Sequence, residues 1–318
     1  MNRLFCLTTA AALFAEVPPE LAKPSYRISE ITGIGHDPNH ERQDPGNVIR
    51  DGDTYYVWYT FRVKGLHPHA STIFWASSKD GRNWTEHGLA LGKGPKGSWD
   101  SFGVITPYTA IANGKYYLFY TATSDNAPFE ANKTLRHIGV AVANHVRGPW
   151  KKLPQPVISP AGNESDWDSL VVDDACVIIR DGKLWLYYKG RNAKVSGRQT
   201  QWGLAIAAKP EGPYRRHAGN PVLNSGHTVN IWPHREGVAA LVDNAGPQRY
   251  SVQWSPDGIH FEMAAKLDFV HTGTAAYSPD AFSDTRYGQG ISWGVAQHRD
   301  ERSLRLVRFD CDMLAPGR

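Results

Sequence analysis

WDSLVVDDACVIIRDGKLWLYYKGR, residues 167–191, has a polar approach, adjacent acids Asp173 and Asp174, an apolar run (Ala175 to Ile179), an Asp181-Gly182 pair and an aromatic run (Leu184 to Tyr188). An Asp-Gly pair between two apolar runs signals a hairpin, because both central residues of the favoured turn need positive φ. The stretch therefore reads as a hairpin with a carboxylate at its mouth.

The same pattern recurs. WDSFGVITPYTAIANGKYYLFYTA begins at Trp99 and repeats the Trp-Asp-Ser opening, with Pro107 in the place of Ala175 and Asn113-Gly114 as the turn. DPGNVIRDGDTYYVWYT begins at Asp44, with Asp51-Gly52 ahead of Tyr55 to Tyr59. Weaker copies follow at Trp232-Pro233 and at Ser278-Pro279-Asp280. Partner strands repeat too: Ser78-Lys79-Asp80-Gly81 matches Ser255-Pro256-Asp257-Gly258, and Gly148-Pro149-Trp150 matches Gly212-Pro213-Tyr214. Hairpins returning every fifty to seventy residues or so have the period of propeller blades. The expectation is an all-β, five-bladed β-propeller over residues 41–318, preceded by an N-terminal arm at 16–40. Radial repetition would leave only short, protected strand edges.

Composition agrees with a turn-rich β fold: 11 Trp, 14 Tyr and 11 Phe accompany 30 Gly and 21 Pro in 318 residues. The net charge of +4 is spread over interspersed acids and bases, so no basic stripe for nucleic acid stands out. Cys6, Cys176 and Cys311 form neither a disulfide framework nor a paired metal-ligand spacing. Met1-Asn2-Arg3 followed by the apolar run to Ala15 reads as a signal peptide at 1–15, too short to span a bilayer. A periplasmic or secreted location is expected, with the cytoplasm as the alternative.

In a propeller the first strand of each blade lines the central channel. Asp44, Thr106, Asp174 and the residues around His227 and Asp280 would then converge although far apart in the chain. Thr106 stands where the first and third copies carry acids, so the β geometry does not itself require a carboxylate there. Two carboxylates with a third protic group form the constellation for cleaving a glycosidic bond: an ionised base activates water and an acid protonates the departing oxygen. Trp167, Trp232 and their aromatic neighbours offer faces for sugar rings, although blades also pack on such residues. Lys189 and Arg191 bring cations towards the channel mouth, and His67 and His69 flank a proline in a loop.

Arg42-Gln43-Asp44-Pro45-Gly46-Asn47-Val48-Ile49, Asp173-Asp174-Ala175-Cys176, Leu186-Tyr187-Tyr188-Lys189-Gly190-Arg191 and Gly226-His227 ahead of Trp232-Pro233 resemble glycoside hydrolase family 117. The resemblance implies a five-bladed propeller, related to family 43, that removes terminal 3,6-anhydro-L-galactose from neoagaro-oligosaccharides through the α-1,3 bond. It implies Asp44 as the general base, Asp174 as the group that tunes pKa and orients the sugar, with Asp173 as its competitor, and His227 as the general acid. Two nearby carboxylates would raise the imidazole pKa. Thr228 after His227 departs from the family pattern and keeps Glu236 as an alternative acid. Thr106, Trp167, Asp173, Arg191, Trp232, Glu236 and Asp280 are the expected substrate-binding residues. No cofactor is required; a divalent cation is an option with no ligand set evident. Family members also use the arm to dimerise. The alternatives are a family 43-like arabinofuranosidase or xylosidase, and a non-catalytic carbohydrate-binding propeller.

Overall fold

The computed structural model describes residues 16–125, 130, 133–301 and 303–317. The expected signal peptide lies outside them. Among the described residues the fold is all-β, with one short 3-10 turn at Pro19–Leu21. Strand β1 (Tyr26–Ser29) comes from the segment expected as an arm. One sheet follows from β2 (His40–Gln43), β3 (Val48–Asp51), β4 (Thr54–Val63), β5 (Thr72–Ser78) and β6 (Trp84–Leu91). The next holds β7 (Gly103–Ala112), β8 (Lys115–Thr123), β9 (His137–Ala143) and β10 (Lys151–Lys152), and a third holds β11 (Val171–Arg180), β12 (Lys183–Arg191), β13 (Gln201–Ala207) and β14 (Arg215–Arg216). The last sheet contains β15 (Val229–Arg235), β16 (Gly237–Val242), β17 (Ser251–Ser255), β18 (Glu262–Lys266), β19 (Thr274–Ala276), β20 (Gly288–Arg299) and β21 (Leu304–Leu314).

Hydrogen bonding thus gives four sheets rather than five separate units. The eight-stranded sheet consists of two antiparallel halves, β15 to β18 and β19 to β21 with β1, joined only where His234 and Arg235 meet Gln289 and Gly288. β1 pairs with β21 from Tyr26↔Cys311 to Ser29↔Arg308, so the first strand and the last lie side by side. Leu21 is fully buried, and Glu20 accepts from His234 and Arg235. The arm is therefore bound to its own chain here.

Local chemistry explains the repeats. Asn113 and Gly114 (φ 52° and 70°) and Asp181 and Gly182 (φ 52° and 66°) make the two-residue turns expected of them. In the first copy the register Asp51↔Thr54 moves the turn by one residue, to Gly52 and Asp53. Asp80 and Asp257 each accept a serine hydroxyl and two main-chain N–H groups, so the repeated Ser-x-Asp-Gly is one Asx-type turn used twice. Between sheets, aromatic pairs such as Tyr55–Trp293 and Trp58–Trp150 pack edge to face, and Trp58, Trp202 and Trp232 are wholly buried. Each such side chain contributes on the order of 2–3 kcal/mol by burial.

Where the first and second sheets meet, there is no room for a side chain at position 46. A Cβ on Gly46 would sit 1.5 Å from the Pro107 carbonyl oxygen and 2.6 Å from its carbon. Because the obstacle is backbone, Gly46→Ala is expected to destabilise the fold by more than about 4 kcal/mol, read as a collapse of the thermal unfolding midpoint.

Candidate active site

The inner strand of each of the first three sheets breaks at the same place. Between Gln43 and Val48, between Ile105 and Tyr108, and between Asp173 and Cys176 the ladder is interrupted. The first bulged residues, Asp44, Thr106 and Asp174, have φ of 47°, 48° and 50°. Non-glycine residues held there cost about 1–3 kcal/mol each and persist only when their surroundings fix them. The fixing groups sit at one matched position on the neighbouring unit's second strand. Thr60 Oγ1 accepts from Thr106 N at 2.9 Å, Thr121 Oγ1 from Asp174 N at 3.2 Å, and Gln297 Oε1 from Asp44 N at 2.9 Å. The fourth such position holds Lys189, which cannot accept. Asp243 serves that neighbour instead, taking His227 N at 2.6 Å and the Thr228 N and Oγ1 at 3.0 Å.

These bulges surround one cavity of about 30 Å³. Asp44, Thr106, Asp174, Thr228 and Gly273 line it, one each from the first three sheets and from the two halves of the fourth. Residues up to 230 positions apart in sequence (Asp44 to Thr274, 274 − 44) therefore meet.

The two adjacent acids of the opening stretch have different environments. Asp173 is saturated: Oδ1 accepts from Thr106 Oγ1 (3.2 Å) and Asp174 N (2.9 Å), while Oδ2 accepts from Arg136 (2.7 Å) and faces Lys189 at 3.5 Å. Burial alone would raise its pKa, but Lys189 and Arg136 hold it well below the usual carboxylate range. Asp174 Oδ2 accepts from Lys189 Nζ, and its buried Oδ1 has no hydrogen-bond partner among the described residues. Burial, then the charge of Asp173, push Asp174 well above the usual range. Asp44 is pushed up to about 6, chiefly by burial, with Lys189 opposing. Lys189 stays protonated because Asp173 and Asp174 outweigh the effect of its burial.

His227 corrects an expectation. Its imidazole is pushed down to about 3, first by Lys189 and then by burial, which together outweigh Asp173; the ring bonds the Gly197 main chain. The carboxylates do not raise it because Lys189 and Arg136 stand among them.

Several other expected site residues lie elsewhere. Trp232 is 0 % exposed, inside the core of the last sheet. Trp167 packs over Gly190 and Gly203, so it buttresses its own sheet. Asp280 accepts from the Gln289 main-chain N at 2.6 Å and side chain at 3.2 Å, and Gly273 takes the place expected for it. Arg191 borders the site without lining the cavity: it is 5 % exposed, donates to the Asn192 and Val195 carbonyls, and its charge meets those of Arg136 and Asp173. Glu236 is exposed in the turn joining β15 to β16, at the end of β15 opposite Thr228, a strand length of roughly 20 Å away. Glu236→Gln is therefore expected to leave kcat/KM within about twofold of wild type in a standard turnover assay.

Residues that the sequence reading passed over include Arg136 and Asp243, and the three accepting groups Thr60, Thr121 and Gln297. For all but Arg136 a signal is present: aligning the second strands places Thr60, Thr121, Lys189, Asp243 and Gln297 in one column. His69 also reaches in, its Nε2 3.3 Å from Arg136 Nη2. Among the described residues no group of three His, Cys, Asp or Glu is placed to hold a metal ion.

Comparison with known proteins places this geometry. The model for glycosyl hydrolases family 43 matches residues 39–204, which contain both Asp44 and Asp174. Xylosidase/arabinosidase 43A of Humicola insolens is 28% identical over 155 residues, and an extracellular endo-α-(1→5)-L-arabinanase of Bacillus subtilis is 33% identical over 88 residues. Those matches span only 38% and 18% of the two relatives' lengths and 48% and 25% of this chain. The solved structure of a family 117 glycoside hydrolase from the marine bacterium Zobellia galactanivorans superimposes with a TM-score of 0.82 at 31% identity, covering 92% of this chain and 91% of that one. The protein is a glycoside hydrolase. It belongs to glycoside hydrolase family 117, a family related to family 43.

Proposed function

We propose that the protein is an exo-acting, inverting glycosidase that releases terminal α-1,3-linked 3,6-anhydro-L-galactose from neoagaro-oligosaccharides. One observation carries the reading: Asp44 and Asp174 line the same cavity of about 30 Å³, which has room for a water molecule. The similarity to the Zobellia family 117 glycoside hydrolase over 92% of the chain supports glycosidic cleavage as the reaction; the sugar and linkage rest on the family resemblance of the sequence motifs. We count the two halves of the last sheet as separate blades, which makes a five-bladed ring with this cavity on its axis.

Asp44, ionised above about pH 6, takes a proton from the water that attacks the anomeric carbon. The glycosidic C–O bond breaks, and His227 delivers a proton to the departing oxygen. Asp174 orients the sugar through its unpartnered Oδ1 and sets the charge around the other two. In the free site the imidazole is neutral, so proton delivery by His227 requires that bound substrate raise its pKa. The low His227 pKa of about 3 favours a second reading, in which Asp174 itself is the donor.

Incubation with neoagarobiose tests the substrate, and 3,6-anhydro-L-galactose is the expected product. Pentose release from aryl arabinofuranosides or xylosides, with neoagarobiose untouched, would replace this reading with the family 43-like one. No release from either would leave a carbohydrate-binding role.

A further inference from the structure

The column of matched second-strand positions holds two departures, Asp243, which turns back to its own unit, and Lys189, the single cation in it. Thr60, Thr121 and Gln297 each accept the main-chain N–H of the next bulged residue, work that needs an oxygen. At position 189 the chain places a lysine, 3 % exposed, which gives up that hydrogen bond and leaves Asp243 to do the work. Burying an ammonium is costly unless it is paired, so a cation in a place that folding fills with Thr or Gln calls for a reason beyond folding.

The groups around Lys189 supply that reason. Asp173 and Asp174 face it from β11, at 3.5 Å and in direct contact. Its charge also acts on Asp44 in the break between β2 and β3, on His69 in the loop after β4, on His227 before β15 and on Asp243 after β16. Arg136, ahead of β9, is the second cation at Asp173. Two cations thus stand among four acids, Asp44, Asp173, Asp174 and Asp243. Arg136 hydrogen-bonds Asp173 and adds its charge at Asp44, whereas Lys189 is the cation in contact with Asp174.

We propose that Lys189 is a positioning residue of the glycosidase site: its ammonium pins Oδ2 of Asp174, leaves Oδ1 open for the sugar, and supplies the charge against which Asp44 works as a base. The inference rests on reading Asp44 and Asp174 as the working carboxylates.

Lys189→Thr installs the residue that two neighbouring units already carry, and Lys189→Met keeps the aliphatic stem without the charge. The pH profile of kcat/KM on the accepted oligosaccharide is compared across wild type, both neutral variants and Lys189→Arg. The charge of Lys189 lowers the Asp44 pKa, so its loss moves the acidic limb upward by roughly one pH unit. It also costs about 100-fold in rate at pH 7, while Lys189→Arg returns the limb to its wild-type position. A folded neutral variant with an unmoved limb would overturn the proposal. So would failure of both neutral variants to fold, which would assign Lys189 to structure alone. Full activity in Asp44→Asn would instead overturn the underlying reading, whatever the lysine variants do.

Discussion

Asp44→Asn is expected to lower kcat by about 10³- to 10⁴-fold with little change in KM, the range for removing a well-placed general base. Asparagine is the suitable replacement because φ at this position is 47°, a conformation that Asn accepts as readily as Asp does. The wild-type enzyme should lose kcat/KM as pH falls through about 6, since the base must be ionised and burial holds its pKa there. Stability should run the other way. A folded pKa of about 6 lies above the unfolded value of about 3.9, so this group's stabilising contribution is complete below about pH 4 and is lost as pH rises through 6. At pH 7.5 the amide removes the cost of an ionised buried carboxylate. Asp44→Asn should therefore unfold roughly 2–6 °C higher than wild type while being almost inactive. A catalytic loss accompanied by a lower midpoint would point to a packing role instead.

The second large effect separates His227 from Asp174. On neoagarobiose, His227→Asn and Asp174→Asn are each expected to lose about 10²- to 10⁴-fold. A substrate whose leaving group is already a good one, such as a dinitrophenyl glycoside of the same sugar, needs no proton donor. The proposed roles predict that His227→Asn recovers most of its rate on that substrate and that Asp174→Asn does not, because the sugar is still poorly held. The reverse pattern would give the donor role to Asp174, which burial and Asp173 already hold well above the usual carboxylate range.

Much of this arrangement was legible in the chain. Asp44, Thr106 and Asp174 were aligned from hairpin spacing alone, and the structure gives all three the same left-handed bulge. Period and turn chemistry are local properties, so they survive in sequence. The junction between sheets is not local: the fourth and fifth repeats are joined by the β15–β20 pairs, which no hairpin pattern encodes. The fifth channel residue was misplaced for a related reason. Asp280 follows the short strand β19, whereas the residue at the cavity is Gly273, which precedes it and has no side chain to advertise a role. Aromatic residues misled as well, since Trp167 and Trp232 look the same in sequence whether they meet a sugar or a neighbouring strand. The charge on His227 failed differently. Carboxylates alone would raise its pKa, but Lys189 and Arg136, the latter in the stretch between β8 and β9, lie close enough to act on the ring, and no hairpin pattern encodes that proximity.

Asp44 and Asp174, 130 positions apart (174 − 44), are proposed to act on one glycosidic bond. The most direct test is a crystal structure of the Asp44→Asn variant soaked with neoagarobiose. The terminal sugar is expected over the cavity, with Asp174 Oδ1 bonded to a ring hydroxyl and a water between the substituted side chain and the anomeric carbon, about 3–3.5 Å from that carbon. A disaccharide bound away from both side chains, or reaching only one of them, would contradict the shared role.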